Sequence, residues 1–292
     1  MAGKVKSLAR QNKSHTTLVA LKELQRDFLP SPLRLISGMV HGPEIKYVTW
    51  EVPLTYSHIE ILHVTDLQFG HILCNVAQIE KYMAWILAEK YRFIVFGGDL
   101  IDAATVLSPG QPWENLCEPQ GQIYKLIALL APIRHRVLGY VGGNHERRGI
   151  KTFGDLGTLI ASLLQVPYSS GQQFVNIRYG EHKRFTIFLW HGRGSARTPG
   201  AKLMMLYYAM KELAGDAQVT LVGHLHDAIL KWSTYRKHEG NKIVDKKTVG
   251  AMSSSFLQYF GSYAEVSGLS PSDIIMARTE LTPDGRWSVT VR

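Results

Sequence analysis

The chain alternates between buried strands and amphipathic helices from residue 59 onwards. Residues 59–65 are predicted to form a buried strand, and a polar turn separates them from a predicted helix whose shared face holds Ile79, Met83, Ile86 and Leu87. Further strands are predicted over residues 92–96 and 136–141, with a helix over 122–130 between them. This alternation is typical of parallel α/β units, in which each strand is followed by a helix that covers the sheet.

The second half of the chain is predicted to be richer in strands. A helix over residues 153–164 precedes strands at 174–179, 185–190, 219–222, 228–235, 274–281 and 287–291, and one further helix covers 201–213. No internal repeat, low-complexity tract or long linker divides residues 55–292. We therefore expect one domain over 55–292, preceded by a basic extension over 1–54.

The extension is marked by its charge. Its first forty residues hold seven Lys or Arg against two acidic residues. Apolar residues recur there at spacings of three or four, which predicts an amphipathic helix that Pro30 ends; they are Leu18, Leu21, Leu24 and Phe28. We favour a helix docked on the core over a separate nucleic-acid-binding arm.

Composition and charge limit the class of protein. Hydrophobic residues make up 45% of the 292 residues, and Gly and Pro are scattered, which excludes collagen-like, coiled-coil and wholly disordered chains. No apolar run approaches the roughly 18 residues of a membrane-spanning helix. Cys74 and Cys117 cannot form a disulfide framework, and no apolar stretch of signal-peptide type follows the basic N-terminus. We expect a cytoplasmic protein with no membrane partner.

The formal net charge of the chain is +9. This excess suits an anionic partner, such as nucleic acid or a phosphorylated small molecule. A charge that serves solubility alone is the alternative, and the sequence leaves both open.

Five short polar motifs each follow a predicted strand. Loops at the carboxyl ends of neighbouring parallel strands converge, so these motifs predict one pocket of mixed nitrogen and oxygen donors. Such donors suit Mn²⁺, Fe, Zn²⁺ or Ni²⁺, and a bridging carboxylate can hold two ions roughly 3.5 to 4 Å apart. The motifs are Asp66-Leu67-Gln68, Gly98-Asp99-Leu100-Ile101-Asp102, Gly143-Asn144-His145-Glu146, Trp190-His191-Gly192 and Gly223-His224-Leu225-His226.

In this order the motifs resemble the D-x-H, G-D-x-x-D, G-N-H-D/E, H and G-H-x-H pattern of the calcineurin-like metallophosphoesterase superfamily. The resemblance covers residues 59 to about 230. It implies an α/β fold, a four-layer αββα sandwich of two mixed sheets flanked by helices, with a dinuclear metal site at the strand ends. It also implies that Asp99 bridges the two ions. The other implied ligands are Asp66 and His226 for the first ion, and Asn144, His191 and His224 for the second.

Gln68 departs from the family pattern, because it stands where D-x-H supplies an imidazole. An amide oxygen is a neutral, harder and weaker ligand, so the first ion is expected to bind less tightly or to favour Mn²⁺ over Zn²⁺. His71 either compensates as a ligand or faces substrate or solvent. We expect two divalent ions, Mn²⁺ first, with Fe, Zn²⁺ or Ni²⁺ as alternatives.

The resemblance also implies a mechanism, in which a metal-bridging hydroxide attacks phosphorus in line with the leaving oxygen. His145 has the family's catalytic position, where it stabilises the transition state or protonates the leaving oxygen. Asp102 is expected to orient His145 through a hydrogen bond. A helix cap is the alternative role of Asp102.

Cationic residues flank two of the motifs and are predicted to bind substrate. They favour a polyanion or a phosphodiester, with a solvated basic loop as the alternative. A later segment mixes hydroxyls with aromatic residues that either stack on exposed bases or pack against the second sheet. The cations are Arg147, Arg148, Arg193, Arg197 and Lys202, and the aromatic residues are Phe256, Tyr259, Phe260 and Tyr263.

These observations predict a metal-dependent phosphoesterase that acts on phosphodiesters of nucleic acid, DNA or RNA, or of nucleotides. One alternative is a phosphomonoesterase that acts on a small or protein substrate. Another is a non-catalytic nucleic-acid-binding protein with a decayed metal site. The oligomeric state is left open.

Overall fold

The structure is a computed structural model, and it describes residues 33–41, 44–106, 108, 110–151, 154–180 and 183–292. The predicted helix of the N-terminal extension lies outside these residues. Among the described residues, no helix has both the length and the apolar content needed to cross a bilayer.

Six strands form one mixed sheet, in the order β13-β12-β3-β4-β5-β6. Strands β3 to β6 run parallel to one another, while β12 pairs antiparallel with both β3 and β13. The strands are β3 (Ile59–Val64), β4 (Arg92–Phe96), β5 (Val137–Val141), β6 (Tyr168–Ser169), β12 (Ala277–Leu281) and β13 (Trp287–Val291).

Seven strands form the second mixed sheet, in the order β1-β2-β7-β8-β9-β11-β10. Strand β9 lies parallel to both of its neighbours, β8 and β11. The strands are β1 (Arg34–His41), β2 (Glu44–Val52), β7 (Gln172–Tyr179), β8 (Lys183–Trp190), β9 (Val219–Val222), β10 (Ile229–Glu239) and β11 (Lys242–Met252).

Five α-helices accompany the sheets in the described part of the chain. Side-chain caps begin three of them: Asn75 accepts a hydrogen bond from the backbone of Gln78 at the start of α1, and Asp155 and Thr198 cap α3 and α4 in the same way. The helices are α1 (Val76–Ala88), α2 (Pro119–Leu130), α3 (Leu156–Leu164), α4 (Pro199–Tyr208) and α5 (Tyr263–Val266), and a π-helical turn, Ala209–Leu213, continues α4.

The two sheets pack face to face, and helices cover both outer faces. In β4 the side chains alternate: Phe93 and Val95 point into the core between the sheets, while Ile94 and Phe96 point to helices α1 to α3. On the other outer face, Leu206 of α4 belongs to a core with residues of β9 and β11. These four layers confirm the predicted αββα sandwich. Burial on both faces explains why the apolar residues of β4 are consecutive, Phe93 to Phe96.

The structure contains strands that the periodicity did not predict. Strands β1 and β2 lie in the range assigned to the extension, and β2 pairs with β7 inside the seven-stranded sheet. The division at residue 54 stays a prediction, but the sheet reaches N-terminal of it. Strand β11 was also missed, and β10 runs on to Glu239, beyond the predicted end at 235. The outer half of this hairpin is exposed and polar, so it lacks an apolar signal.

Candidate metal centre

The five motif loops meet at the carboxyl ends of β3, β4, β5, β8 and β9. Backbone hydrogen bonds join neighbouring loops: Asp66 N–H donates to Gly98 O at 2.9 Å, and Gln68 N–H donates to Asp99 O at 3.0 Å. On the other sheet, Gly223 N–H donates to His191 O at 3.1 Å. The two sheets therefore contribute facing halves of one site.

The backbone at this site is held in an unusual conformation. Seven non-glycine residues among those described have positive φ, and five of them are predicted ligands. A left-handed conformation costs a non-glycine residue roughly 1 kcal/mol, and such strain concentrates at functional sites. The five residues are Asp66 at 52°, Gln68 at 46°, Asp99 at 53°, His224 at 72° and His226 at 50°.

One half of the site is built around His191. Its Nδ1 lies 2.8 Å from Gly97 O and must donate there, which leaves Nε2 facing Asp99 Oδ2 at 3.2 Å and Asn144 Oδ1 at 3.1 Å. In a neutral imidazole that carries its proton on Nδ1, the Nε2 lone pair would point at two oxygen atoms. A cation is therefore required at this position, either a proton on Nε2 or a metal ion. Burial opposes a charged imidazole, but the Asp99 carboxylate raises the pKa of His191 to about 10.

His224 completes this half. Ligand atoms of Asp99, His191 and His224 all lie within 4.8 Å of one another. The Nε2 of His224 lies 2.7 Å from Gly194 O and donates to it, so the other ring nitrogen is the one that can bind a cation. Burial and the neighbouring His191 lower the pKa of His224, which favours the neutral imidazole that metals bind.

The second half joins Asp66, Gln68 and His226. The Nε2 of His226 lies 3.3 Å from Asp66 Oδ1 and 3.2 Å from Gln68 Nε2. Asp66 Oδ2 accepts hydrogen bonds from Thr65 and from the His224 backbone, which orients the carboxylate. Although burial opposes ionisation, the contact with His226 lowers the pKa of Asp66.

Glu146 organises the loops that follow β4 and β5, although the sequence pattern predicts no role for it. Its Oε2 accepts hydrogen bonds from Asp99 N–H at 3.0 Å and Gly143 N–H at 2.8 Å. Its Oε1 accepts from Leu100 N–H at 2.7 Å and from the Tyr140 hydroxyl at 3.0 Å. Burial and the nearby Asp99 raise the pKa of this fully buried carboxyl. In the sequence, this role is marked only by the position of the glutamate directly after the Gly-Asn-His triplet.

Two glycines allow the loops to approach each other. Gly98 has φ of +96°, a conformation that few residues with a side chain adopt. A Cβ on Gly143 would lie 2.0 Å from Asp99 Oδ1 and 2.5 Å from Asp99 N. Both positions therefore require glycine so that Asp99 can occupy the centre of the site.

His145 lies beside the centre, held from two directions. Its Nδ1 donates to Asp102 O at 2.7 Å and lies 3.3 Å from Asp102 Oδ1, and its Nε2 lies 3.5 Å from Asp99 Oδ2. Asp102 thus contacts His145 as predicted, through its backbone as well as its carboxylate. Arg148 binds the same pair, because it donates to Asp102 O and, at 2.9 Å, to His145 Nε2. Burial opposes the charged form, but Asp99 raises the pKa of His145.

His63 lies in the buried layer behind the site. Ser253 Oγ donates to His63 O and accepts from Ala277 N–H, so it can only accept from His63 Nδ1, at 2.9 Å. The Nε2 is buried against Gly97 and has no hydrogen-bond partner among the described residues. Burial accordingly lowers the pKa of His63 to about 3.

Two clefts open at the centre and share Asn144, Arg148 and His224 in their walls. Arg147 and Arg193 line the first cleft, and Arg197 lines the second together with His71 and His145. His71 is not brought to the metal ligands: its Nδ1 accepts from Leu73 N–H at 3.0 Å, and its Nε2 faces Glu114 at 3.5 Å.

Other predicted substrate contacts are separated from the clefts. The Lys202 side chain is buried, and its ammonium forms an ion pair with Asp227 at 3.0 Å instead of lining either cleft. Phe256 packs against Tyr82 in the core between the six-stranded sheet and its helices, so it is a packing residue, but not against the second sheet as the alternative expected. Tyr259 and Phe260 contact each other edge to face, and the Tyr263 side chain lies outside the described part of the structure.

One family of known proteins matches the sequence of this chain. The sequence pattern of the family described as calcineurin-like phosphoesterase matches residues 59–228. A comparison with curated proteins finds no match. Among solved structures, a metallophosphoesterase from Sphaerobacter thermophilus is 16% identical, with 80% of this chain and 87% of that chain covered and a TM-score of 0.38. A 5'-nucleotidase from Candida albicans is 11% identical, with 82% and 52% covered and a TM-score of 0.35.

The family of the chain follows from the sequence match. That match spans more than half of the 292 residues and contains all five motifs. The residues that it covers include both halves of the site described above. The protein belongs to the calcineurin-like phosphoesterase family.

Proposed function

We propose that this protein is a metal-dependent phosphodiesterase. Membership of the family indicates metal-dependent hydrolysis of phosphate esters, typically with two divalent ions. The observation that carries the proposal is the convergence of Asp99, His191 and His224, whose possible ligand atoms all lie within 4.8 Å of one another. The donor set of carboxylate, amide and imidazole fits a divalent first-row metal.

The residues divide into two coordination groups that share Asp99. Asp66, Gln68 and His226 belong to one group, and the other contains Asn144, His191 and His224. When bound, two divalent ions supply activation of the attacking water and neutralisation of charge on the phosphoryl oxygens. Mn²⁺ is the ion we propose, since an amide at Gln68 suits a harder metal than an imidazole does.

His145 delivers a proton to the leaving oxygen in this proposal. Asp102 holds Nδ1 as a donor, so Nε2 is the atom that takes up a proton from solvent in the cleft, once Arg148 has left it, and passes that proton to the leaving oxygen. Arg148 covers Nε2 at 2.9 Å and also borders both clefts. Its guanidinium turns from His145 to the phosphoryl group when substrate enters, since a bidentate contact with phosphate is stronger than one with a neutral imidazole.

The two clefts support a diester over a monoester. A phosphodiester carries two organic substituents, and two clefts meet at the centre, where they share Asn144 and His224. Arg147 and Arg193 add cationic charge to one cleft, and Arg197 adds it to the other. This distribution suits a chain with further phosphates, so nucleic acid or a nucleotide is the substrate class that we propose.

Turnover of bis-p-nitrophenyl phosphate tests the proposal. The purified protein with Mn²⁺ should hydrolyse this diester faster than p-nitrophenyl phosphate, and Asp99→Asn should abolish the activity. Asp216→Asn is the matched control, since Asp216 is exposed and distant from the motifs. Activity that survives Asp99→Asn contradicts the metal-centre assignment, and a preference for the monoester contradicts the diester assignment. Single-stranded DNA, duplex DNA, RNA and cyclic nucleotides then rank the substrate classes.

A further inference from the structure

A groove separate from the two clefts lies at the end of the seven-stranded sheet opposite to the metal centre. Gln218, which precedes β9, belongs to its wall, whereas His224 of the metal centre follows β9. The β10–β11 hairpin and the turn between β12 and β13 form the rest of the wall. Its volume of about 600 Å³ is in the range of ligand sites. None of the five motifs contributes to it.

Three aromatic rings form a row, and two of them, Trp287 and Trp232, line this groove. The ring of Trp287 contacts Phe185 at 5.6 Å between centroids and stacks on Trp232 at 5.3 Å with an interplanar angle of 18°. Trp232 ends the row and is 45% exposed. An indole with one face stacked and the other open to solvent is a platform that a nucleobase can extend, and such stacking tolerates any base.

Cationic side chains surround the aromatic row. The β10–β11 hairpin, residues 229–252, carries six Lys or Arg against two acidic residues. Two groove lysines form ion pairs with exposed carboxylates, Lys237 with Asp216 at 3.1 Å and Lys246 with Glu239 at 2.9 Å. Exposed ion pairs contribute little to stability, so phosphate groups can replace these carboxylates as partners. Four cations and three carboxylates line the groove: Lys237, Lys246, Lys247 and Arg286, and Asp216, Glu239 and Asp245.

We propose that this groove binds single-stranded nucleic acid, with a base stacked on Trp232 and the backbone phosphates on the hairpin lysines. Duplex DNA fits less well, because its bases are already stacked on one another and cannot extend the aromatic row. The proposal goes beyond the proposed function, since binding at this groove requires neither the metal centre nor turnover. If both hold, the groove retains a strand while the metal centre cleaves it.

Fluorescence anisotropy with a labelled oligothymidylate tests the groove, and phosphorothioate linkages slow its cleavage during the measurement. For the full-length protein, Trp232→Ala should raise the Kd about tenfold, the effect typical of one stacked base. Trp232→Phe should retain most of the affinity, because it keeps a ring at that position. Lys247→Gln should weaken binding and reduce its salt dependence. Among the described residues, Lys247 forms no ion pair, so its loss breaks no internal contact.

Tyr124→Ala is the matched control, since Tyr124 is an exposed aromatic residue on α2, away from the groove. It should leave the Kd unchanged. An unchanged Kd in Trp232→Ala, an equal loss in Tyr124→Ala, tighter binding of duplex, or no binding of the oligonucleotide overturns the proposal. Turnover of bis-p-nitrophenyl phosphate should be equal in all variants. A protein that binds through Trp232 but shows no turnover rejects the proposed function alone.

Discussion

Replacement of Glu146 by glutamine tests whether one buried carboxylate holds the loops of the metal centre together. The carboxylate accepts four hydrogen bonds, from Asp99, Gly143, Leu100 and Tyr140. An amide can replace only one of the two oxygens as an acceptor. In the best orientation its oxygen keeps Asp99 and Gly143, the Tyr140 hydroxyl rotates to accept, and Leu100 N–H is left against the amide nitrogen.

The expected loss follows from that one unpaired donor. Leu100 is fully buried, so water cannot replace the acceptor. A buried donor without a partner costs about 1–3 kcal/mol, and we expect Glu146→Gln to lower the free energy of unfolding by this amount. Tyr140→Phe removes one of four donors but leaves no backbone group unpaired, so its loss should be smaller.

Urea unfolding at slightly alkaline pH measures these losses without added metal. Calorimetric titration with Mn²⁺ then measures whether the Asp99 loop still binds the ion, and we expect weaker binding in Glu146→Gln. Glu80→Gln, an exposed substitution on α1, is the control and should change stability by less than about 0.5 kcal/mol. If Glu146→Gln behaves like this control in both assays, Glu146 does not organise the site.

Three further predictions concern single positions. Because burial lowers the pKa of His63 from 6.5 to about 3, the unfolded chain binds this proton first and stability falls below pH 6.5. From pH 7.5 to 5.5, His63 should lower the free energy of unfolding by about 1.4 kcal/mol. Urea unfolding at both pH values should show this loss in the wild type but not in His63→Asn. An equal pH dependence in the two proteins contradicts the prediction. Gly143→Ala adds a methyl carbon that would clash with Asp99, so kcat/KM should fall about a hundredfold while the circular dichroism spectrum stays unchanged. Turnover equal to that of the wild type would show that the loop adapts. In a calorimetric titration with Zn²⁺, Gln68→His should lower the Kd of the more weakly held ion about tenfold, since imidazole is a stronger ligand for Zn²⁺ than an amide oxygen. An unchanged Kd would mean that Gln68 does not face an ion.

The convergence of the candidate ligands could be predicted because each is close in sequence to a strand end. Strand and loop are both local features, and the carboxyl ends of parallel strands lie at one edge of the sheet. Asp66 and His226 are 160 residues apart, yet each follows a short buried strand, so their meeting required no knowledge of the turns between them.

The prediction for Lys202 shows where sequence proximity misleads. Lys202 follows the His191 motif by eleven positions, but it belongs to α4, and that helix turns its ammonium to Asp227. Which direction a helical side chain faces depends on how the helix packs, and α4 packs on the outer face of the seven-stranded sheet. Arg193 precedes the helix, and it lines the cleft.

By itself the sequence determined the succession of strands and helices in the first half of the domain, the family, and the residues that can ligate metal. These properties depend on patterns within a few residues, which the chain carries wherever it folds. The tertiary structure alone decided the pairing of β2 with β7, the four hydrogen bonds to Glu146 and the stacking of Trp232 on Trp287. Each of these contacts joins positions whose separation in the chain says nothing about their distance in space, because sheet order and side-chain direction are set by the packing of whole layers.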